Sequence, residues 1–256
     1  MKNMIKSCAA GTLIFASSMA NAGWLEETEI SANVAMATNY LFYGASQTAA
    51  NNDGTFDSGG PAVSGGFDIA LPFEILGGQF YAGTWASSVQ WGGNNPATLE
   101  LDYYGGIAGD SIGSTGISWD LGTWWYTYPN QSSDAGANGF DYTEWYANLG
   151  YSFDAPLSPS ISVGVYYSDD YFGTDLESLY IPFGIDISLP MDFGAYFGGG
   201  YFDLEDTGEY VHYSIGLTKT FLGVDMDASW NGQDNDCGAV QGTNCGGLMF
   251  SASKAF

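Results

Sequence analysis

The residues of this sequence that could take part in chemistry are mostly carboxylates. Of its 256 residues, 29 are Asp or Glu, four are Lys or Arg, and one is histidine. Nine ionisable side chains fall on the polar side of segments in which polar and apolar residues alternate. We predict that the segments are strands that enclose one interior space, here called the lumen, and that these nine residues line it: Asp68, Glu100, Asp102, Asp120, Glu144, Asp186, His212, Asp225 and Asp227.

A lumen of carboxylates without basic partners has two physical outcomes. Unpaired buried charge is costly, so the carboxylates must either meet water and mobile cations or hold protons. Acidic rings around a water-filled pore raise the local cation concentration and repel anions, so the first outcome predicts a cation-preferring pore. The second predicts a sealed interior filled by the aromatic residues on the same side of the segments: Tyr104, Trp124, Tyr126, Tyr146 and Tyr166.

Catalysis would depend on His212, the one histidine of the chain. A nucleophile needs a positioned base, and no serine motif accompanies this histidine. Asp169 and Asp170 are adjacent, and neighbours in a strand point to opposite faces, so they cannot flank one substrate. We therefore predict no enzyme, no cofactor and no metal site. A hydrolase at the rim of the fold that uses His212 is the less favoured alternative.

Two cysteines near the C-terminus, Cys237 and Cys245, lie in the turn-rich segment QDNDCGAVQGTNCG. In an oxidising compartment this spacing predicts a disulfide that closes a short loop. A metal-binding cysteine pair is the alternative, but no nearby histidine or second cysteine pair completes a zinc site.

The N-terminus has the pattern of a secretory signal peptide. Two lysines precede a short apolar run, and the small-residue sequence Ala20-Asn21-Ala22 follows it. The apolar run is far shorter than the roughly 20 residues that span a bilayer. We predict that residues 1–22 are removed after Ala22 and that residues 23–256 form one exported domain. The net charge of −25 excludes nucleic acid as a partner.

Alternation with a period of two runs through the rest of the chain, and clusters of Gly, Asn, Asp, Ser and Pro separate the segments. Long connections alternate with short ones, which is typical of an antiparallel, up-and-down transmembrane β-barrel with long extracellular loops and short periplasmic turns. A soluble β-sandwich is the competing fold. About twelve strands are predicted, near 29–44, 62–73, 78–91, 98–109, 116–128, 141–153, 160–171, 177–189, 193–204, 209–221, 223–231 and 247–256.

Aromatic residues near the segment ends favour the barrel over the sandwich. Interfacial girdles of tyrosine and tryptophan mark the edges of the apolar band in membrane barrels. The residues predicted to form these girdles are Tyr40, Phe42, Trp119, Trp125, Trp145, Tyr151, Tyr213 and Trp230.

The chain ends in LMFSASKAF, with Phe256 on the side predicted to face lipid. A last strand of this kind must pair with the first strand, and its terminal phenylalanine is similar to the signal by which outer-membrane proteins are recognised for assembly. We therefore predict two partners, the outer-membrane lipid and the barrel assembly machinery. Lys254 is predicted on the same side, where its ammonium can reach the headgroups.

Five short strings spread over the chain are more specific: TNYLFYGASQT (38–48), FYAGTWASSV (80–89), LELDYYGGIAG (99–109), YSDDYFG (167–173) and SASKAF (251–256). In this order they resemble the TorF-type porin family of proteobacterial outer-membrane proteins. At position 43, where that family commonly has a basic residue, this chain has Tyr43. The resemblance implies an outer-membrane barrel with a channel function, and it brings no established substrate, catalytic residue or cofactor.

These observations together predict an outer-membrane, porin-like channel for passive diffusion of ions and small hydrophilic solutes, with a preference for cations. The alternative is a sealed barrel that acts through its extracellular loops in adhesion or surface interaction. No oligomeric state is predicted.

Overall fold

The computed structural model describes residues 28–49, 59–91, 97–131, 139–234 and 246–256. The predicted signal peptide and the two cysteines, Cys237 and Cys245, lie outside these residues. No helix in the described ranges is long and apolar enough to cross a membrane.

Fourteen strands are formed in the described ranges. In chain order they are β1 (Glu29–Ala37), β2 (Leu41–Phe42), β3 (Ala45–Ser46), β4 (Ala62–Ile75), β5 (Gly78–Ser88), β6 (Leu99–Gly109), β7 (Ile117–Thr127), β8 (Tyr142–Ser152), β9 (Ser160–Ser168), β10 (Ser178–Leu189), β11 (Phe193–Leu204), β12 (Gly208–Phe221), β13 (Val224–Gln233) and β14 (Gly246–Ala255).

Twelve of these strands form a closed antiparallel barrel, which confirms the predicted fold class. Each strand from β4 to β14 pairs with its sequence neighbours, and β1 closes the ring by pairing with both β4 and β14. The closing register runs from Asn33 opposite Ala255 to Ala37 opposite Ser251. Strands β2 and β3 form a separate two-stranded hairpin. Closure gives every barrel strand a partner on both sides, as a bilayer requires, although the β1–β14 register covers only five residue pairs.

Successive side chains of each strand point alternately out of the barrel and into it, so the barrel has an outer face and an inner face of different composition. In β12, Val211, Ile215 and Leu217 are exposed on the outside, whereas His212 and Ser214 are buried inside. The same arrangement recurs around the barrel, so its outer surface is a continuous apolar band. A soluble protein does not expose apolar surface of that extent, and the band matches the hydrocarbon region of a membrane.

Connections at the two ends of the barrel differ in length as predicted. At the end that also holds both described chain ends, the turns are short or moderate: 76–77, 110–116, 153–159, 190–192 and 222–223. At the other end, the loops are 38–61, 89–98, 128–141, 169–177, 205–207 and 234–245, and only 205–207 is short. The two ends are called the turn end and the loop end below.

The shortest turns have the backbone that a tight hairpin needs. Leu222 and Gly223 have φ angles of 53° and 73°. Positive φ at both central residues is the turn geometry that matches the right-handed twist of paired strands. The short connection between the strands predicted near 209–221 and 223–231 is therefore confirmed.

Two predictions about the first strand are wrong. It was expected to run to residue 44, but β1 ends at Ala37 and the chain then turns into the barrel. Tyr40 and Phe42 consequently pack in the interior and not in a girdle. The alternation of TNYLFYG fits a strand equally well, so local pattern does not distinguish the two arrangements.

Other predicted girdle residues do lie on the outside. Trp145 is 61% exposed, and Trp125, Tyr151, Tyr213 and Trp230 are also exposed, while Trp119 is half-buried. Phe256 is exposed as well, and Lys254 places its ammonium 5.5 Å from the centre of the Phe256 ring.

Candidate functional site

All nine residues predicted to line a lumen lie on the inward face of the barrel, but at different depths. Glu100, Asp102, Glu144 and His212 are buried toward the loop end. Asp68 is buried near the middle of β4. The remaining four are half-buried in the half nearer the turn end: Asp120, Asp186, Asp225 and Asp227. The structure therefore gathers three carboxylates at the loop end and separates them from the others.

Residues 38–49, here named the inward hairpin, fill the space beside these three carboxylates. The segment contains β2 and β3, and its tip is Tyr43–Gly44. The tip has φ angles of 48° at Tyr43 and 86° at Gly44. A Cβ atom at Gly44 would lie 2.6 Å from Cβ of His212, so the tip approaches the barrel wall more closely than any side chain at this position allows.

Hydrogen bonds from the barrel wall hold the tip in place. The Tyr210 hydroxyl donates to the Tyr43 carbonyl at 2.8 Å, and the Gln233 amide donates to the Gly44 carbonyl at 2.5 Å. Further along, the Trp91 ring nitrogen donates to the Gln47 side chain at 2.8 Å. The inward hairpin is thus attached to β12, β13 and the 89–98 loop.

The base of the inward hairpin has its own polar network. The Asn39 side-chain oxygen accepts hydrogen bonds from the Ser46 hydroxyl at 2.7 Å and the Thr48 hydroxyl at 2.9 Å. The Gln47 backbone N–H donates to the Tyr40 carbonyl at 2.8 Å. These bonds satisfy buried polar groups that would otherwise destabilise a loop folded into an interior.

Aromatic rings pack the loop end of the lumen around Tyr43. Its ring stacks on Phe42 at 4.0 Å and on Tyr180 at 3.8 Å between centroids. Phe202 lies 5.6 Å away, and Tyr126 contacts Phe42 at 5.5 Å. All five side chains are buried, so this part of the lumen is filled in the described conformation.

Tyrosine hydroxyls donate to the carboxylates where arginine or lysine would commonly be found. Glu144 is completely buried, and its Oε2 accepts hydrogen bonds from Tyr43 at 2.6 Å and Tyr126 at 2.9 Å. Oε1 of Glu100 accepts one from Tyr40 at 2.5 Å. Burial, with the charge of Glu144 beside it, raises the pKa of Tyr43 well above its usual value. The Tyr43 hydroxyl therefore stays a donor.

Some buried oxygens of this cluster have no hydrogen-bond partner within the described ranges. They are Oδ1 and Oδ2 of Asp102, Oε1 of Glu144, and the hydroxyls of Tyr128 and Tyr142. Neither described lysine lies in the lumen: Lys219 faces outward, 3.9 Å from Asp192, and Lys254 lies beside Phe256 on the outside.

Tyrosine–carboxylate pairs continue deeper in the barrel. The Tyr104 hydroxyl donates to Asp68, and the Tyr81 hydroxyl donates to Asp120 at 2.6 Å while also contacting Tyr146. In this interior, the hydroxyl dipoles of tyrosine side chains therefore stabilise the negative carboxylates, in place of positive side chains.

His212 is paired with a tyrosine. Its Nε2 lies 2.8 Å from the Tyr180 hydroxyl, and the two rings are stacked 5.6 Å apart. The Asp–His pair required by the rim-hydrolase alternative is therefore not formed at this nitrogen. The ring instead forms the wall against which Gly44 packs.

The turn end of the lumen is lined differently. The inward positions of β9 to β12 carry small residues there, including Ser160, Ser162, Gly184, Ser188 and Gly194. The half-buried state of the carboxylates at this end indicates that water reaches them. The lumen is thus lined by small and polar side chains toward the turn end and filled by an aromatic plug toward the loop end.

The inward hairpin was not predicted from the sequence. Its signals are weak: a Tyr–Gly step at 43–44 and a polar run, Ser46-Gln47-Thr48, after it. The aromatic residues predicted to lie on the inner side of the segments do lie inside the barrel: Tyr104, Trp124, Tyr126, Tyr146 and Tyr166.

Comparison with known proteins supports the fold. A family model described as "Bacterial protein of unknown function (Gcw_chp)" matches residues 21–255. No curated protein matches the chain. A structure from work on the in-meso crystallization of membrane proteins is similar, with a TM-score of 0.51, 11% identity, and coverage of 89% of this chain and 83% of the other. At that identity the likeness shows the fold alone.

Two further structures have lower scores and carry no argument about function. An outer membrane channel from Pseudomonas putida F1 has a TM-score of 0.46 and 10% identity, covering 98% of this chain and 100% of the channel. LpxR from Salmonella typhimurium has a TM-score of 0.45 and 8% identity, covering 88% of this chain and 99% of LpxR.

Proposed function

Because the chain belongs to the Gcw_chp family of bacterial proteins, whose function is not established, we propose a function from the barrel itself. The protein is an outer-membrane channel of the porin type for passive diffusion of ions and small hydrophilic solutes, with a preference for cations. The observation that carries this proposal is a closed barrel with an apolar outer band and an inward face whose charged side chains, in the described strands, are carboxylates. The resemblance to TorF-type porins supports it.

The outer membrane is the proposed location because closed β-barrels are the spanning structures of that membrane. We further propose that residues 1–22 are a signal peptide cut after Ala22, that Phe256 is read by the barrel assembly machinery, and that Cys237 and Cys245 form a disulfide. Mass spectrometry of the exported protein tests the cleavage site. Thiol labelling with and without reduction tests the disulfide, because free thiols would react before reduction.

Cation preference follows from the sign of the lumen charge. Each carboxylate attracts cations and repels anions, and the low-dielectric barrel wall strengthens both effects along a narrow path. Asp186, Asp225 and Asp227 contribute in the polar half near the turn end, where they are half-buried. Glu100, Asp102 and Glu144 contribute at the loop end, among the buried aromatic residues.

The inward hairpin is the proposed constriction. In the described conformation its aromatic residues fill the loop end, so solute passage requires the hairpin to move. It is a loop held by hydrogen bonds and ring contacts and does not belong to the barrel ladder. Loops of this kind open at lower free energy than paired strands.

Conductance of the refolded mature chain in a planar bilayer tests the proposal. In a salt gradient we expect current steps whose reversal potential has the sign produced by selective permeation of cations. The triple variant Glu100→Gln, Asp102→Asn, Asp225→Asn should shift that potential toward zero, whereas Asp206→Asn, in the exposed 205–207 loop, serves as the matched control and should shift it much less. Anion permeability equal to or above cation permeability in the wild type would refute the electrostatic part.

A sealed barrel that acts through its loops is the second candidate, and the complete burial of the loop-end side chains favours it. It predicts no current steps from a correctly folded wild-type barrel. It also predicts no steps after the inward hairpin is replaced by a flexible Gly/Ser segment, because the remaining aromatic residues would still fill the lumen.

A further inference from the structure

Asp102 is the least compensated charge in the described part of the barrel. Its side chain is 1% exposed, neither carboxylate oxygen has a side-chain hydrogen-bond partner there, and the backbone of Thr127 is a polar group beside it. Leaving a carboxylate buried and unpaired is among the most costly arrangements in proteins, so something must stabilise it.

The surroundings of Asp102 add negative charge. Glu100 is two residues away on the same face of β6, and Asp102 lies in the electrostatic field of both Glu100 and Glu144. His212 is the one basic group on the inward face in the described strands, and its Nε2 is paired with Tyr180. The cluster therefore lacks a positive side chain.

Strand register connects Asp102, across β7, to a second group of free oxygens on β8. Asp102 lies opposite Tyr126, and Tyr126 lies opposite Tyr142 on the next strand. The Tyr126 hydroxyl reaches Oε2 of Glu144, which leaves Oε1 free. The Tyr142 hydroxyl is free as well, and its ring stacks on Tyr126 at 4.6 Å.

These free groups are all oxygens, which are the ligands that hard cations such as Na⁺ and Ca²⁺ prefer. We propose that Asp102 and Glu144 bind one hard metal cation, with the Tyr142 hydroxyl and water completing its coordination. The proposed site has two carboxylates, and no three acidic, histidine or cysteine side chains of the described residues form a ligand cluster. The cation is a resident of the aromatic plug, and the proposal shares Asp102 and Glu144 with the proposed channel function.

Thermal unfolding of the refolded, detergent-solubilised protein tests the site. Melting is followed by near-ultraviolet circular dichroism in NaCl, in CaCl₂ and in N-methylglucamine chloride at equal ionic strength. A resident cation predicts a Tm that rises saturably with Na⁺ or Ca²⁺ and not with the bulky organic cation, since a ligand that binds only the folded state stabilises it.

Two variants connect that rise to the site. Asp102→Asn should abolish the Na⁺ or Ca²⁺ dependence and, in the organic cation, melt no lower than the wild type because it removes an uncompensated charge. Asp225→Asn is the matched control and should keep the full dependence, since Asp225 lies at the turn end with a hydrogen bond from Thr220. Equilibrium dialysis with ⁴⁵Ca²⁺ gives the stoichiometry, with one bound ion expected in the wild type and none after Asp102→Asn.

Protonated carboxyl groups are the competing explanation, and they predict a different result. If Asp102 holds a proton, the Tm is the same in all three salts, and the infrared spectrum contains a carboxylic-acid carbonyl band that Asp102→Asn removes. That result would overturn the cation site. It would also remove Asp102 from the carboxylates proposed to set cation preference, whereas Asp186, Asp225 and Asp227 near the turn end would keep their part, and conductance tests the channel proposal separately.

Discussion

Gly44→Ala tests whether the inward hairpin occupies the lumen as described. A non-glycine residue in the left-handed region costs about 1–2 kcal/mol, and Gly44 has φ +86°. The added Cβ would also lie 2.6 Å from Cβ and 2.8 Å from Cγ of His212. Inserting an extra carbon atom into a well-packed space costs about 1–3 kcal/mol.

Both costs act on the docked state of the inward hairpin and not on the barrel ladder. Docking should therefore weaken by about 2–5 kcal/mol, which is at least about a 30-fold change in its equilibrium constant. The undocked hairpin would expose Tyr40, Phe42 and Tyr43, which are sites for chymotrypsin. We expect rapid cleavage after Tyr43 in the variant and protection in the wild type, with the barrel intact in both.

Gly77→Ala is the matched control. Gly77 also has a positive φ, of 79°, but it lies in the 76–77 turn with nothing within 4 Å of an added Cβ. This variant shares the backbone cost and lacks the contact with His212, so its inward hairpin should stay protected. Equal protection of Tyr43 in Gly44→Ala and the wild type would refute the close approach on which the plug depends. Single-channel recording of the same proteins should give a higher open probability for Gly44→Ala alone.

Three further predictions concern the same lumen and the outer band. Tyr43→Phe removes one of two donors to a buried Glu144 oxygen and should lower the free energy of unfolding by about 1–3 kcal/mol in urea titrations. The raised pKa of Tyr43 means that its stabilising effect is complete below the ordinary tyrosine pKa of about 10 and is lost progressively as the pH rises above it, so near-ultraviolet circular dichroism should report undocking of the inward hairpin only above about pH 10. Ile215→Arg, on the lipid-facing side of β12, should cost about 2–4 kcal/mol of folding free energy in lipid vesicles, whereas Thr218→Arg, which faces the lumen opposite Asp227, should cost far less.

The faces of the barrel strands were predictable because side-chain direction in a strand repeats every two residues. Val211 and Ile215 could be assigned to the outside, and His212 to the inside, from sequence positions alone. The turn at 222–223 was predictable for the same local reason, since glycine tolerates the positive φ that a two-residue turn needs. The apolar outside of the barrel, with acidic residues inside, follows from these patterns.

Three features depended on the tertiary structure: the depth of each carboxylate in the lumen, the tyrosine that pairs with it, and the packing of the inward hairpin. The hydrogen bond from Tyr43 to Glu144 joins residues 101 positions apart, and the bond from Gln233 to Gly44 joins residues 189 apart. Such contacts are set by strand register around a closed ring, which no local period encodes. The sequence by itself determined that the carboxylates face inward; the folded barrel decided that tyrosines, and not bases, lie against them.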